Sequence, residues 1–250
     1  MGKIAIFGSE GAVGTALTKI VSSQGIDVDR IDLVLRNHRS YEGKVDILHI
    51  AIPWSTEFVD EVSRIAGSTA ANIVVIHSTV PVGTTRELGS KFVHSPVRGQ
   101  HDDLVNSLLS FKKYVAGTDK VIVATAARHL ENLGLDVKIV DNPETTELAK
   151  LLCTCRYLND LAFCQFADDT CWAMGVDPEF VLNEWTRSYN AGYFLLSARS
   201  FIRPLLTSPK GNVGGTCVLP NARTLKKMLR LRKIDDKFVR RALNMFEEES

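Results

Sequence analysis

A chain of 250 residues has room for one large domain or two smaller ones, and 45% hydrophobic with 24% charged residues is ordinary for a globular protein. A formal net charge of +1 gives no global attraction to nucleic acid or anionic membrane, so neither is an expected partner. The opening "MGKIAIFGSEG" lacks a signal-peptide layout, Ile6 fills the position a myristoylation motif reserves for Ser or Thr, and no apolar run approaches the roughly 20 residues of a bilayer span; a cytoplasmic protein is expected.

In chain order, "KIAIF" (3–7) is a short apolar run ending in glycine and suits a buried strand. Gly8, Gly11 and Gly14 follow, then "TALTKIVSSQG", a helix stopped by Gly25. "IDVDRID" is a second strand. "VDILHIAIP" (45–53) and "NIVVIHSTV" (72–80) are further apolar strands, with a helical stretch from Thr56 to Ala66 between them. "KYVAGT" and "KIVDNP" are shorter strands. Strands alternating with helices imply βαβ units and a parallel sheet, an α/β fold of Rossmann-like type over residues 1–141.

The pattern changes at Asp141. Asn142 is an N-cap candidate, Pro143 takes the first helical position, and an amphipathic run through Leu148, Leu151, Leu152, Cys155, Leu158, Ala162 and Phe166 carries a helix toward Gly175. "GVDPEFVLNEW" starts another helix, capped by Asp177, and no strand signal follows. Residues 142–250 therefore read as an all-helical domain for dimerisation and substrate. The Lys- and Arg-rich segment from Arg223 to Arg241 reads as the solvated face of one or two helices.

Five cysteines, an odd number without a secretion signal, fit reduced thiols. Cys153, Cys164 and Cys171, spaced by 11 and 7, share one helical face, and packing is expected of these three and of Cys155. No histidine stands among them at ligand spacing, so no metal is expected. Cys217, behind the glycines of "GNVGGTCVLPN", has two readings: a small apolar side chain or a nucleophile.

"GSEGAVG" between strand and helix is the arrangement a dinucleotide-binding turn requires. Gly8 allows the tight exit, Gly11 lets backbone approach a pyrophosphate, and Gly14 lets helix and strand pack closely. Ala12 and Val13 between them, and Pro53 at the end of the third strand, complete the cofactor-contact candidates. Asp32, closing the second strand, is the acid expected to hold the adenosine ribose and favours NAD. If the strand is "IDLVL" instead, Arg36 reaches its tip and favours the 2′-phosphate of NADP.

"HSTVPVGTT", "HSPVRG", "TELAKLL" and "GGTCVLPN", in that order after the dinucleotide loop, resemble the UDP-glucose/GDP-mannose dehydrogenase family. The resemblance implies two NAD-dependent oxidations of a sugar's primary alcohol, through an aldehyde to a carboxylate. It implies that Thr79 lies beside the nicotinamide or the water network, that Lys150 stabilises the developing oxyanion, and that Cys217 attacks the aldehyde to form a thiohemiacetal. It also implies a homodimer joined through the long helix. Three positions depart from the family: Val97 replaces a glutamate, Thr154 an asparagine and Asn221 an aspartate. Against the family, one strand–helix unit between Asp32 and Val45 is missing or reduced, and the chain ends about where a third domain would begin. The reading is an NAD-dependent oxidoreductase acting on the CH–OH group of a small molecule, with incomplete four-electron chemistry. A catalytically degenerate dinucleotide-binding protein and a 3-hydroxyacid-type two-domain dehydrogenase are the alternatives.

Overall fold

Short apolar strands with buried side chains on both faces build the first part of the chain. In the computed structural model, which describes residues 2–99, 101–210, 213 and 217–247, strands β1 (Ile4–Phe7), β2 (Val28–Ile31), β3 (Ile47–Ile50), β4 (Ile73–Ile76), β5 (Phe92–His94), β6 (Lys113–Gly117) and β7 (Val137–Ile139) form one sheet of order β2-β1-β3-β4-β5-β6-β7. Helices α1 (Ala12–Ser23), α2 (Phe58–Ser68), α3 (Thr84–Leu88), α4 (Leu104–Ser110) and α5 (Lys120–Asn132) connect and cover it. The chain divides into two compact units, Met1–Lys150 and Leu151–Ser250.

Alternation along the strands feeds two cores. Ile4 and Ile6 of β1 join Leu17 and Ile20 of α1 and Leu130 of α5 on one face. Ala5 and Phe7 join Phe58, Val62 and Ile65 of α2 on the other. Strands buried on both faces read as continuous apolar runs, which is why "IAIF" and "IVVI" were legible as strands of a covered sheet.

Two features differ from a simple parallel reading. β5 and β6 pair antiparallel, while every other neighbouring pair is parallel. An apolar run has the same composition in either direction, so strand polarity was not readable. The second strand also ends at Ile31, and residues 33–36 are a turn with Arg36 at φ 55°. The alternative strand that would carry Arg36 to its tip is not formed. No helix lies between β2 and β3, in agreement with the reduced unit expected there.

Helix α6 runs over Pro143–Met174, and the Asn142 side chain accepts the Thr145 amide at 3.0 Å, as an N-cap does. A six-residue π-helical stretch, Glu179–Glu184, leads into α7 (Trp185–Leu195), followed by α8 (Val218–Leu231) and α9 (Lys237–Asn244). The π turn replaces the regular helix expected after Pro178, although the Asp177 carboxylate does receive the Glu179 amide at 3.0 Å. Among the described residues no strand follows β7. The basic segment lies on α8 and α9, with Arg223 paired to Glu247 and Arg230 to Asp236 on the surface.

The cysteine reading needs one correction. Cys155, Cys164 and Cys171 are buried, whereas Cys153 is exposed. A common angular face does not give a common environment along a helix of 32 residues.

Candidate functional site

The register of the parallel strands brings their carboxyl ends to one edge. Phe7 stands opposite Ile31 on one side and Ile50 on the other, and Ile50 opposite Ile76. The segments leaving β1, β2, β3 and β4 therefore emerge together, and they carry Gly8, Asp32, Pro53 and Thr79. The order of strands reverses between β1 and β3, the switch point at which open α/β sheets bind ligands.

Close packing at this edge depends on two glycines. Gly8 has φ 89°, and a Cβ there would lie 2.7 Å from the Ala51 carbonyl carbon. A Cβ on Gly14 would enter the Gly8 carbonyl oxygen. Gly11 is the N-cap of α1 and supplies no side-chain cap, and the helix has no acid in its first turn. Gly11 and Ala12 are exposed and Val13 is half-buried. An uncapped helix start with exposed amides fits a pyrophosphate. A bound dinucleotide would be held by these amides and by Asp32, and it supplies hydride acceptance.

Asp32 is also part of the loop's framework. Its carboxylate accepts the amides of Glu10 at 2.9 Å and Val34 at 3.0 Å, and only 8% of the residue is exposed. Its own amide donates to Asn37 Oδ1 at 3.0 Å. Pro53 is exposed, Thr79 is half-buried, and the neighbouring Ser78 hydroxyl donates to the Ile52 carbonyl at 2.5 Å, tying the ends of β3 and β4 together.

The start of α6 is fastened to the "STVPVGTT" loop. Glu147, fully buried, accepts the Gly83 amide at 2.7 Å and the Thr85 amide at 2.8 Å, the orphan donors at the start of α3. Burial raises its carboxyl above the ordinary range, against those hydrogen bonds. His94 Nε2 faces the Ser78 carbonyl at 3.1 Å and its Nδ1 faces the Thr146 hydroxyl at 2.7 Å. A carbonyl only accepts, so Nε2 carries the proton. The Thr146 oxygen is also 2.9 Å from the Pro143 carbonyl, leaving one hydroxyl proton for two acceptors. Lys150, half-buried, closes this turn of helix. Burial pushes His94 down to about 3, and the charges of Lys113 and Lys150 act in the same direction.

Beside it lies a buried row of imidazoles that sequence reasoning missed. His49 Nδ1 is 2.9 Å from His77 Nε2, and His49 Nε2 is 3.0 Å from His129 Nε2. His77 Nδ1 faces the Ser95 carbonyl at 3.1 Å and must donate to it. With each ring neutral, the tautomers then follow in sequence: His129 donates to His49, and His49 to His77. Burial pushes His49 and His77 well down, and His129 to about 4. Lys113, also buried, donates to the Ser95 and Pro96 carbonyls and is held well below the usual lysine range by burial. The histidines occur at single positions in β3, just after β4 and in α5, so no spacing signalled them.

In the second unit, Cys217 is half-buried and stands at the N-cap of α8, which places its thiol at the positive end of a 14-residue helix. Asn221, one turn on, is buried and its amide nitrogen is 3.5 Å from the Thr154 hydroxyl, the limit of a hydrogen bond. Two departures from the family pattern thus meet each other. The glycines expected to shape the Cys217 loop (211, 214 and 215) lie outside the described residues. Val97 packs into the core on the α1 side of the sheet.

No protein-family model and no curated protein matches the sequence. Solved structures do match. UDP-D-ManNAc dehydrogenase from Pyrococcus horikoshii superposes with a TM-score of 0.74 at 17% identity, over 97% of this chain and 68% of that one. A UDP-glucose dehydrogenase from Pyrobaculum islandicum gives 0.72 at 15%, over 98% and 68%. Mycobacterium tuberculosis 3-hydroxyisobutyrate dehydrogenase, solved with L-serine, gives 0.73 at 15%, over 98% and 92%. The fold is the one these dehydrogenases share. At such identities the likeness concerns architecture alone, and the fold class read from the sequence is the observed one. Among the described residues no group of His, Cys, Asp and Glu could hold a metal ion, and no helix is long and apolar enough to cross a membrane.

Proposed function

We propose that this chain is an NAD-dependent oxidoreductase acting on the CH–OH group of a small molecule. The observation that carries the reading is the glycine-lined, uncapped start of α1 at the switch point, with Asp32 at the neighbouring strand end. Gly8, Gly11, Ala12, Val13 and Gly14 hold the pyrophosphate, Asp32 the ribose, and Pro53 and Thr79 border the nicotinamide. Lys150 steadies the alkoxide as the alcohol proton leaves. Cys217 bonds to the aldehyde carbon, and the aldehyde oxygen takes a proton to complete a thiohemiacetal. Asn221 stands where a carboxylate would assist proton transfer, with Thr154 beside it in place of an asparagine, and an amide cannot take the proton a carboxylate can. The substrate is a nucleotide sugar or a smaller alcohol, the active form is a homodimer, and the protein works in the cytoplasm.

The 3-hydroxyacid reading has its own support, because the superposition spans 92% of 3-hydroxyisobutyrate dehydrogenase but 68% of either sugar dehydrogenase. That chemistry needs no thiol. NADH absorbance over a panel of nucleotide sugars and 3-hydroxyacids separates the two. Sugar oxidation that is lost in Lys150→Ala, with aldehyde oxidation lost in Cys217→Ala, supports the first; hydroxyacid oxidation indifferent to Cys217→Ala replaces it. NADH binding without turnover of either substrate class leaves the catalytically degenerate dinucleotide-binding protein.

A further inference from the structure

Two carboxylates and one guanidinium meet where the dinucleotide loop passes the end of β2. Arg30 and Asp32 are two residues apart on an extended chain and leave it on the same side. Asp29, between them, turns the other way to Lys3 at 2.8 Å and to the Tyr41 hydroxyl. Glu10 sits in the loop opposite. Its backbone amide donates to Asp32, and its carboxylate holds the Arg30 guanidinium through both oxygens, at 2.5 and 2.6 Å. The Ser9 hydroxyl donates to the same carboxylate at 2.9 Å. Glu10 is the better buried partner, with 25% of its side chain exposed against 50% for Arg30.

We propose that Glu10 is a specificity-determining residue that makes the ribose end of this site reject a 2′-phosphate and so selects NAD over NADP. The inference rests on the dinucleotide reading of the loop. A 2′-phosphate brings up to two negative charges to the ribose hydroxyl beside Asp32. It meets a second carboxylate there, and the cation within reach is already paired with that carboxylate through its Nη2. A phosphate would compete for that guanidinium through the same kind of charge-assisted hydrogen bond. Glu10 therefore acts twice in one direction, by adding a negative charge and by occupying Arg30. The remaining nearby cations, Arg36 and Arg39, are exposed and belong to the segment beyond β2, Arg36 within the residue 33–36 turn.

The test is titration of NADH and NADPH into the purified protein, followed by cofactor fluorescence, for wild type, Glu10→Gln, Arg30→Gln and the double variant. Wild type is expected to bind NADH at least tenfold more tightly. Removing one charge a few ångströms from a phosphate relieves a Coulomb repulsion, so Glu10→Gln should narrow the ratio about tenfold by strengthening NADPH. Arg30→Gln in that background should undo the gain. Glu10→Ser repeats the measurement if the glutamine variant folds poorly. An unchanged ratio in Glu10→Gln and Glu10→Ser overturns the inference while the dinucleotide reading stands. A gain that survives Arg30→Gln and vanishes with Arg36→Ala also overturns it, by assigning the phosphate to the turn. Wild type that binds neither cofactor defeats the reading itself.

Discussion

The two units spend their apolar residues differently. In Met1–Lys150, Phe7, Phe58, Ile4, Ile6, Ile50 and Ile76 are essentially inaccessible, and even four histidines and a lysine are enclosed. In Leu151–Ser250, α7 contains no buried residue, and Phe163, Phe166, Trp172, Trp185 and Phe194 stand more than half exposed. Trp185, Tyr189, Tyr193 and Phe201 form a chain of ring contacts, with the Arg203 guanidinium 4.4 Å from the Tyr189 ring. A sheet covered on both faces satisfies its own apolar residues. A set of amphipathic helices does so only as far as partners are present.

The sharpest way to test the second unit is through its thiol. On the proposed chemistry Val97 and Asn221 replace the acids that would activate water, and loss of a general base typically costs about 10²–10⁴ in rate. Incubation with a turned-over substrate and NAD should therefore leave an acyl adduct in the intact mass, absent altogether in Cys217→Ala. Asn221→Asp should clear it faster. Rapid release of free acid by wild type, at two NADH per substrate, would falsify the proposal.

Truncating the enclosed core comes next. Phe58→Ala should cost about 3–5 kcal/mol in denaturant unfolding. Phe166→Ser, at a site 58% exposed, should cost within about 0.5 kcal/mol of nothing in a monomer. Similar losses at both sites would dissolve the contrast between the units.

Acid should act on the first unit. His49, His77, His94 and His129 all have lowered affinities for protons in the fold, so each is neutral there and takes up a proton on unfolding. Their contribution is complete above about pH 6.5 and is lost as pH falls, through about 4 for His129 and about 3 for His94. Lys113 acts in the same sense from higher pH, and Glu147, with a raised carboxyl, in the opposite one. Unfolding free energies from urea titrations at pH 7 and pH 5 should differ by about 1–2 kcal/mol for each buried histidine, and His49→Gln should flatten the slope. A stability independent of pH over this interval counts against the imidazole row.

The smallest change in folding should accompany the largest in assembly. Sedimentation at micromolar concentration is expected to give a homodimer, and Trp172→Asp, at a residue 72% exposed, a monomer of unchanged thermal stability per chain. A clean wild-type monomer removes the dimer from the proposal.

Much of this protein follows from local pattern. The run "KIAIF", the three glycines and the helix ended by Gly25 needed no tertiary information, because strand burial, a left-handed turn at Gly8 and helix periodicity are written in neighbouring residues. Asn142 and Pro143 announced α6 for the same reason, and Asp32 could be placed by counting along the chain. Strand direction at β5 and β6, the π turn before Trp185 and the exposure of Cys153 were decided by what packs around them. So were the Glu10–Arg30 pair, the Glu147 clamp on α3 and the histidine row, whose members stand 20, 62 and 64, and 28 and 80 residues apart. Hydrogen bonds and ion pairs act over a few ångströms of space, and only the folded sheet brings such distant positions within that reach.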